Sequence, residues 1–159
     1  MKVLVLSDSH GQAVRLRTVL RREADCSLVF FLGDGLRELE RVRPDFPERA
    51  FVCVNGNNDW NANGSYDDFA YKFIEGHTVV ATHGHRCAVR YSLQDLAQKA
   101  LDVRADVALY GHTHIPRQDL TRGVLCVNPG ALCDGCYAVL DFSKQNIEVT
   151  FKNSIISDS

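Results

Sequence analysis

No run of apolar residues in this chain is long enough to cross a bilayer. Its opening run, Val3-Leu4-Val5-Leu6, is broken at once by Ser7 and Asp8. That is too short for the apolar core of a secretory leader, so a cytoplasmic location is the expectation. Charge of one sign is equally scarce. Eighteen Lys and Arg stand against 20 Asp and Glu, a formal net charge of −2. Without a basic stripe the chain gives no support to non-specific nucleic-acid binding. Arg15, Arg17, Arg21 and Arg22 do cluster, but they alternate with apolar residues and read as a solvated helix face. Internal repeats, linkers and low-complexity segments are absent. At 159 residues and 45% hydrophobic, residues 1–159 read as a single domain that buries a core without disulfides. The six cysteines are Cys26, Cys53, Cys87, Cys126, Cys133 and Cys136. Cys53 and Cys126 lie within apolar runs, where a reduced thiol behaves as a small hydrophobe; a reducing compartment follows as the default.

What is present is an alternation of strand and helix signals. A continuous β-type run covers Lys2–Ser7, the pattern of a strand buried on both faces, and further strands are expected at Leu28–Leu32, Phe51–Val54 and Val107–Tyr110. An amphipathic helix follows Gly11, its face formed by Ala13, Leu16, Val19, Leu20 and Ala24. A short charged helix starts near Leu36 and is stopped near Pro44. Strand, helix, strand, helix, strand marks a parallel α/β sheet. Asn61 to Asp68 reads as a polar loop. Tyr71–Ile74 and Thr78–Thr82 predict a hairpin across Glu75-Gly76-His77. A further helix is expected from Ser92, capped by Ser92 with Asp95 as its capping-box partner, with Leu93, Leu96, Ala97, Ala100 and Leu101 on one face. The last third turns to β at Val124–Val127, Tyr137–Asp141 and Ile147–Phe151, with Ser143 to Asn146 as a turn and a frayed tail from Asn153.

Most of these strands end in a short polar motif: Asp8-Ser9-His10, Gly33-Asp34, Gly56-Asn57-Asn58-Asp59, His83-Gly84-His85 and Gly111-His112-Thr113-His114. Five of the six histidines fall within them; a surface turn accounts for the sixth, His77. One such motif carries little information. Five at successive strand tips would gather carboxylates, imidazoles and an amide oxygen, the donor set of a two-metal hydrolytic site. If the backbone stays extended, residues two apart project to one side, about 6–7 Å apart at Cα. Asp8 with His10, or His112 with His114, can then hold one cation jointly or reach one each of two cations.

The ordered motifs, followed by Asn128-Pro129-Gly130, resemble the calcineurin-like metallophosphoesterase superfamily, in its small prokaryotic-type phosphodiesterase branch, over residues 1 to about 142. The resemblance implies an α/β fold: a four-layer sandwich of two mixed β-sheets flanked by helices, with the metal site at strand C-terminal ends. It implies one divalent ion held by Asp8, His10, Asp34 and His114. A second is held by Asp34, Asn57, His83 and His112, with Asp34 bridging. Two such cations bring four positive charges, of which Asp8, Asp34 and a bridging hydroxide cancel three, leaving about +1 to attract a phosphoryl group. The implied reaction is in-line attack on phosphorus by a metal-bridging hydroxide. Mn²⁺ is the first choice of ion; Zn²⁺, Fe, Ni²⁺ and Co²⁺ suit the same donors.

Two departures from the family pattern bear on substrate. The phosphoprotein phosphatases of the superfamily have histidine directly after the metal-binding asparagine, where this chain has Asn58. An amide donates a hydrogen bond to phosphate but cannot act as a general acid, which favours activated diesters over phosphomonoesters. The segment from Ala131 to Tyr137 is also short, without the Pro/Arg-containing loop that relatives often carry. Asp59 reads as orienting a ligand or loop. His85 either enters the cleft, contacting substrate or donating a proton, or makes a supporting hydrogen bond. Cys133 and Cys136 read as two incidental thiols in a turn. A small phosphate ester is the expected partner, with no membrane and scope for a homo-oligomer. The alternatives are a phosphomonoesterase and a non-catalytic scaffold on the same fold.

Overall fold

A computed structural model describes residues 1–60 and 66–155. Strand β1 (Lys2–Leu6) shows how the architecture arises. Its four apolar side chains are all fully buried, yet they serve two different cores. Val3 and Val5 join Phe30, Val79, Val107 and Leu109, whereas Leu4 and Leu6 join Leu16, Leu20, Phe31 and Leu39. Alternation with period two thus splits one continuous apolar run between opposite faces of a sheet.

That first sheet has the order β10 (Ile147–Asn153), β9 (Cys136–Phe142), β1, β2 (Leu28–Phe31), β3 (Ala50–Cys53). The last three run parallel, and β9 lies antiparallel to both β1 and β10. One face packs on helices α1 (Ala13–Arg22) and α2 (Leu36–Val42). The other packs on a second sheet, ordered β4 (Phe69–Ile74), β5 (His77–Thr82), β6 (Val107–Leu109), β8 (Val124–Asn128), β7 (Arg117–Thr121). There β5, β6 and β8 are parallel. On its outer face Val80, Ala108 and Cys126 meet Leu96 and Ala100 of helix α3 (Gln94–Asp102). These are the four layers and two mixed sheets that the family resemblance implies. Fully buried Phe30 and Phe31, one in each of the first two cores, contribute about 1.5–3 kcal/mol each.

Several local expectations are corrected. Helix α1 ends at Arg22, so Ala24 is exposed and Glu23 is buried in its stead, accepting from the Tyr137 hydroxyl (2.9 Å) and the Lys152 ammonium (2.7 Å). Arg15 is more than a solvated side chain, because its guanidinium donates to the Leu132 and Cys133 carbonyls. Helix α3 begins at Gln94, two residues late. Its N-cap, Leu93, has no side-chain cap, and Ser92 Oγ only meets the Gln94 N–H at 3.4 Å. Strand β7 was not foreseen, since its polar sequence RQDLT lies at an exposed sheet edge and shows no apolar signal. Asn153 is not frayed: it closes β10 and accepts from the Ile155 N–H at 2.9 Å. The rest of the tail, 156–159, and 61–65 of the expected polar loop lie outside the described residues.

The β4–β5 hairpin closes over only two residues, Glu75 and Gly76, both with positive φ (48° and 85°), as a type I′ turn requires. His77 therefore opens β5 and does not sit in a surface turn. Its Nδ1 lies 2.6 Å from Asp106 and its Nε2 lies 2.8 Å from the Ser143 carbonyl, in the turn between β9 and β10. The ring ties the two sheets together. The Asp106 hydrogen bond raises the His77 pKa against a smaller opposing effect of burial. A folded-state pKa above the unfolded value places this stabilisation below about pH 6.5, and it is lost as pH rises through the folded pKa. His77→Ala is expected to lower the melting temperature most at about pH 6 and least at about pH 9. A deficit that stays constant across that range would contradict the strut.

Candidate metal centre

The carboxyl ends of β1, β2, β5 and β6 lead into the predicted ligand motifs, and the backbone there does not stay extended. Asp8, His10, Asp34, His112 and His114 have φ of 56°, 41°, 58°, 70° and 66°. This overturns the expectation of extended i, i+2 pairs. Strands β1, β2 and β6 turn off the sheet edge through left-handed residues, a conformation that costs about 1–2 kcal/mol and that Asp and His adopt more readily than bulky or branched residues. The pairs approach through that turn, not through the pleat.

The result is a compact polar cluster. His10 Nε2 and His114 Nε2 lie 3.4 and 3.2 Å from Asp8 Oδ1 and 3.3 Å from each other, and His10 Nε2 is 3.9 Å from Asp34 Oδ2. His83 Nε2 lies 3.4 Å from the same Asp34 Oδ2 and 3.8 Å from Asp8 Oδ1, and His112 Nδ1 lies 3.2 Å from His83 Nε2 and 3.1 Å from Asn57 Oδ1. All seven predicted ligands are therefore brought together, with Asp34 between a group containing Asp8, His10 and His114 and one containing Asn57, His83 and His112. His112 and His114, two residues apart, go to different groups.

The electrostatics suit a cation. Asp8, fully buried, accepts at Oδ2 from Ser7 Oγ and from the His112 N–H (3.1 Å), while Oδ1 has no donor in hydrogen-bonding geometry. A buried carboxylate oxygen left in that condition is costly. Burial alone would raise the Asp34 pKa. The His83 hydrogen bond and charge, with the Asn58 amides, outweigh it and hold Asp34 well below the usual carboxylate range. His83 donates Nδ1–H to the Leu32 carbonyl (2.6 Å), which turns Nε2 towards Asp34. Burial opposes its protonation, but the Asp34 hydrogen bond and the charges of Asp8 and Asp34 raise its pKa, and a metal would take the place of the Nε2 proton. Burial, followed by the charges of His83 and Arg90, pushes His112 down to about 4, so it is neutral, the ligating form, at pH 7. Oxygen and imidazole donors around an unpartnered buried carboxylate fit a divalent metal.

Residues 1–145 match the model of the calcineurin-like phosphoesterase superfamily domain. The chain belongs to that superfamily. The probable metallophosphoesterase YsnB of Bacillus subtilis is 34% identical over 133 residues, covering 83% of this chain and 75% of its own. A phosphodiesterase of Methanocaldococcus jannaschii is 27% identical, covering 84% of this chain and 85% of its own. Among solved structures, a conserved predicted phosphoesterase from Streptococcus pneumoniae TIGR4 superposes with a TM-score of 0.80 at 28% identity, covering 97% of this chain and 90% of that one. Membership makes this chain a phosphoesterase of a metal-dependent superfamily.

Around the ligands, the superfamily fold of this chain uses buried acids as clamps. Asp59, 8% exposed, accepts from the N–H groups of Asp34 (2.6 Å), Gly35 (3.0 Å), Leu36 (3.1 Å) and Gly56 (2.7 Å). It caps α2 and joins the β2 and β3 loops at once. Those loops touch: a Cβ on Gly33 (φ 95°) would stand 2.7 Å from the Gly56 Cα. Glu38, which no motif singles out, accepts from Ser9 Oγ (2.9 Å) and the Gly11 N–H, fixing the loop that carries Asp8 and His10. Its only sequence signal is an acid in the first turn of a helix beginning next to a ligand motif. Buried Asn128 donates to the Gly111 carbonyl (3.1 Å) and Thr113 Oγ1 (2.9 Å), holding the loop of His112 and His114.

The remaining candidates are also close. Asn58 donates its N–H to Asp34 Oδ1 (2.8 Å) and its amide to Oδ2 (3.0 Å). His85 opens a 3₁₀ turn, His85–Cys87, with its ring centroid 5.5 Å from His83 and 6.1 Å from His112. Its Nδ1 is buried without a hydrogen-bond partner, which argues against a purely supporting hydrogen bond from that atom. Burial, followed by the charges of His83 and Arg86, lowers its pKa. Asp59→Ala would strand four backbone N–H groups. A loss of about 2–4 kcal/mol in urea unfolding is expected, together with weaker metal binding by about 10–100-fold. Unchanged stability and unchanged metal affinity would contradict the clamp.

Proposed function

We propose that the protein is a dinuclear, divalent-metal-dependent phosphodiesterase. One ion would be held by Asp8, His10, Asp34 and His114, the other by Asp34, Asn57, His83 and His112. The observation that carries this reading is the buried, donorless Asp8 Oδ1 facing His10 and His114 beside the shared carboxylate of Asp34. When bound, such ions supply an activated water and Lewis-acid stabilisation of the phosphoryl oxygens.

The chain's own residues shape the rest. The cleft beside the cluster, about 210 Å³, is lined by His10, Gly11, Asp34, Arg37, Glu38 and Asn58 among others. Exposed Arg37 offers a guanidinium at its mouth, suited to an anionic ester. Asn58, next to Asp34, can donate to a phosphoryl oxygen but has no proton to give a departing alkoxide. His85 is held towards its neutral form, a poor acid. A leaving group that departs without protonation fits these residues best. The named activity of the M. jannaschii relative supports the same preference.

The test begins with chelator-stripped protein reloaded with Mn²⁺, Zn²⁺, Fe²⁺, Ni²⁺ or Co²⁺ singly, assayed on an activated aryl diester and the matching monoester. Reloaded protein should cleave the diester faster, with two ions per chain. Asp34→Asn and His83→Ala should each lose more than about 100-fold in kcat, beyond the loss of an outer partner, with the fold intact by circular dichroism. Full turnover in stripped protein would overturn the reading, and monoester preference would return it to a phosphomonoesterase. Separately, Asn58→His restores a titratable acid. The monoester-to-diester ratio is expected to rise, by as much as about 100-fold. An unchanged ratio removes Asn58 from the account of specificity.

A further inference from the structure

The two thiols of Cys133-Asp134-Gly135-Cys136 have different surroundings. Cys136 opens β9, and its Sγ accepts from Asn153 Nδ2 at 3.6 Å. Cys133 lies in a 3₁₀ turn, Leu132–Asp134, and faces the metal centre: its Sγ, a nitrogen of His10 and a nitrogen of His114 all lie within 4.8 Å of one another. The backbone fixes it there. Its N–H donates to the Asp8 carbonyl (3.0 Å), the Leu132 N–H donates to the Ser7 carbonyl (2.8 Å), and Arg15 holds the carbonyls of Leu132 and Cys133 from the other side. The same two imidazoles lie 3.4 and 3.2 Å from Asp8 Oδ1, which is fully buried and without a donor in hydrogen-bonding geometry. Two imidazole nitrogens, themselves beside an uncompensated buried oxygen, thus face a thiol that the mechanism leaves unused.

We propose that Cys133 is a fifth protein ligand to the ion of Asp8, His10, Asp34 and His114, and that it selects Zn²⁺, Fe²⁺ or Co²⁺ over Mn²⁺ there. The proposal rests on the two-metal reading above and adds to it. On binding, the S–H bond breaks, its proton passes to solvent, and the thiolate pair forms the sulfur–metal bond, so no oxidant or reductant is needed. Thiolate is a soft donor that oxygen-preferring ions use poorly, while Zn²⁺ and Fe²⁺ accept it alongside imidazole and carboxylate. The two positions then differ in kind. One has sulfur; the other, with Asp34, Asn57, His83 and His112, has only oxygen and nitrogen.

Cobalt(II) reports this without an activity assay, because thiolate coordination gives an intense near-ultraviolet charge-transfer band that oxygen and nitrogen ligands do not. Titration of the stripped wild-type chain should give two ions per chain with that band. Cys136→Ser should keep it and Cys133→Ser should lose it, while both still bind two ions. In competition, Cys133→Ser should lose at least about tenfold in preference for Zn²⁺ over Mn²⁺ at one position. X-ray absorption at the zinc edge of unmodified protein should show sulfur at about 2.3 Å, a reading that does not depend on any variant folding. Two bound ions with no band and no sulfur scatterer would overturn the role of Cys133 and leave the dinuclear centre standing, as would a band that survives in Cys133→Ser. No cobalt bound at all would overturn the centre itself.

Discussion

Asp8 and Asp34 are buried at the junction of the two sheets with ligand atoms within 4.8 Å of His83 and of each other. Two carboxylates so placed repel, and each has lost its water. The cost is several kcal/mol per ion unless donors or cations surround them. Much of the local structure answers that constraint. Ser7, the His112 N–H and both Asn58 donors face the carboxylates, and His83 is oriented by the Leu32 carbonyl so that Nε2 meets Asp34. One oxygen, Asp8 Oδ1, is left over. An arrangement that satisfies every other buried acceptor of this pair and omits one is better explained by a cation than by chance.

The same constraint explains why the rim is built from contorted backbone. Five left-handed non-glycine residues would together cost about 5–10 kcal/mol in isolation. They persist because each loop is held from outside the ligand set: the Asp8 loop by Glu38 and by the 3₁₀ turn at Leu132, the Asp34 loop by Asp59, the His112 loop by Asn128. These clamps are fixed to the ends of α2 and β8, elements whose apolar residues are locked into the cores. Burial of the layers thus stabilises the strained turns, and the turns aim the side chains of the proposed centre. Gly33 and Gly56 permit the remaining requirement, contact between the β2 and β3 loops.

The legible part of this design was periodicity and punctuation. Continuous apolar runs ending in Gly, Asp, Asn or His located β1, β2, β3 and β6 to within a residue or two, and the ordered motifs named the seven side chains of the proposed centre. What was not legible depended on neighbours distant in sequence. Ser92 and Asp95 carry the letters of a capping box, but α3 starts after them. Asp8-Ser9-His10 reads equally well as extended or left-handed, because the choice is made by Gly33 and Asp34, whose carbonyls accept from the Asp8 and His10 N–H groups. Strand β7 forms by pairing with β8 and has no apolar face of its own. Glu38 and Cys133 look ordinary until the chain folds: a helix acid and a turn thiol acquire meaning only from the atoms beside them.

The proposed centre is also unequal in exposure, and this bears on what it can take. His83 is fully buried, whereas the side chains of His10 and His114 are 33% and 38% exposed. The cleft opens along His10, Asp34 and Asn58, with Arg37 outside them. At about 210 Å³ it is smaller than the usual 300–1,000 Å³ ligand pocket. Such a cleft admits a phosphoryl group and little of its substituents. In the proposed phosphodiesterase, discrimination among esters would rest less on shape than on how the leaving group departs. A guanidinium at the mouth and an amide within suit any phosphate anion, and neither gives up a proton. In the proposed phosphodiesterase, the same two side chains would favour esters with stable leaving groups.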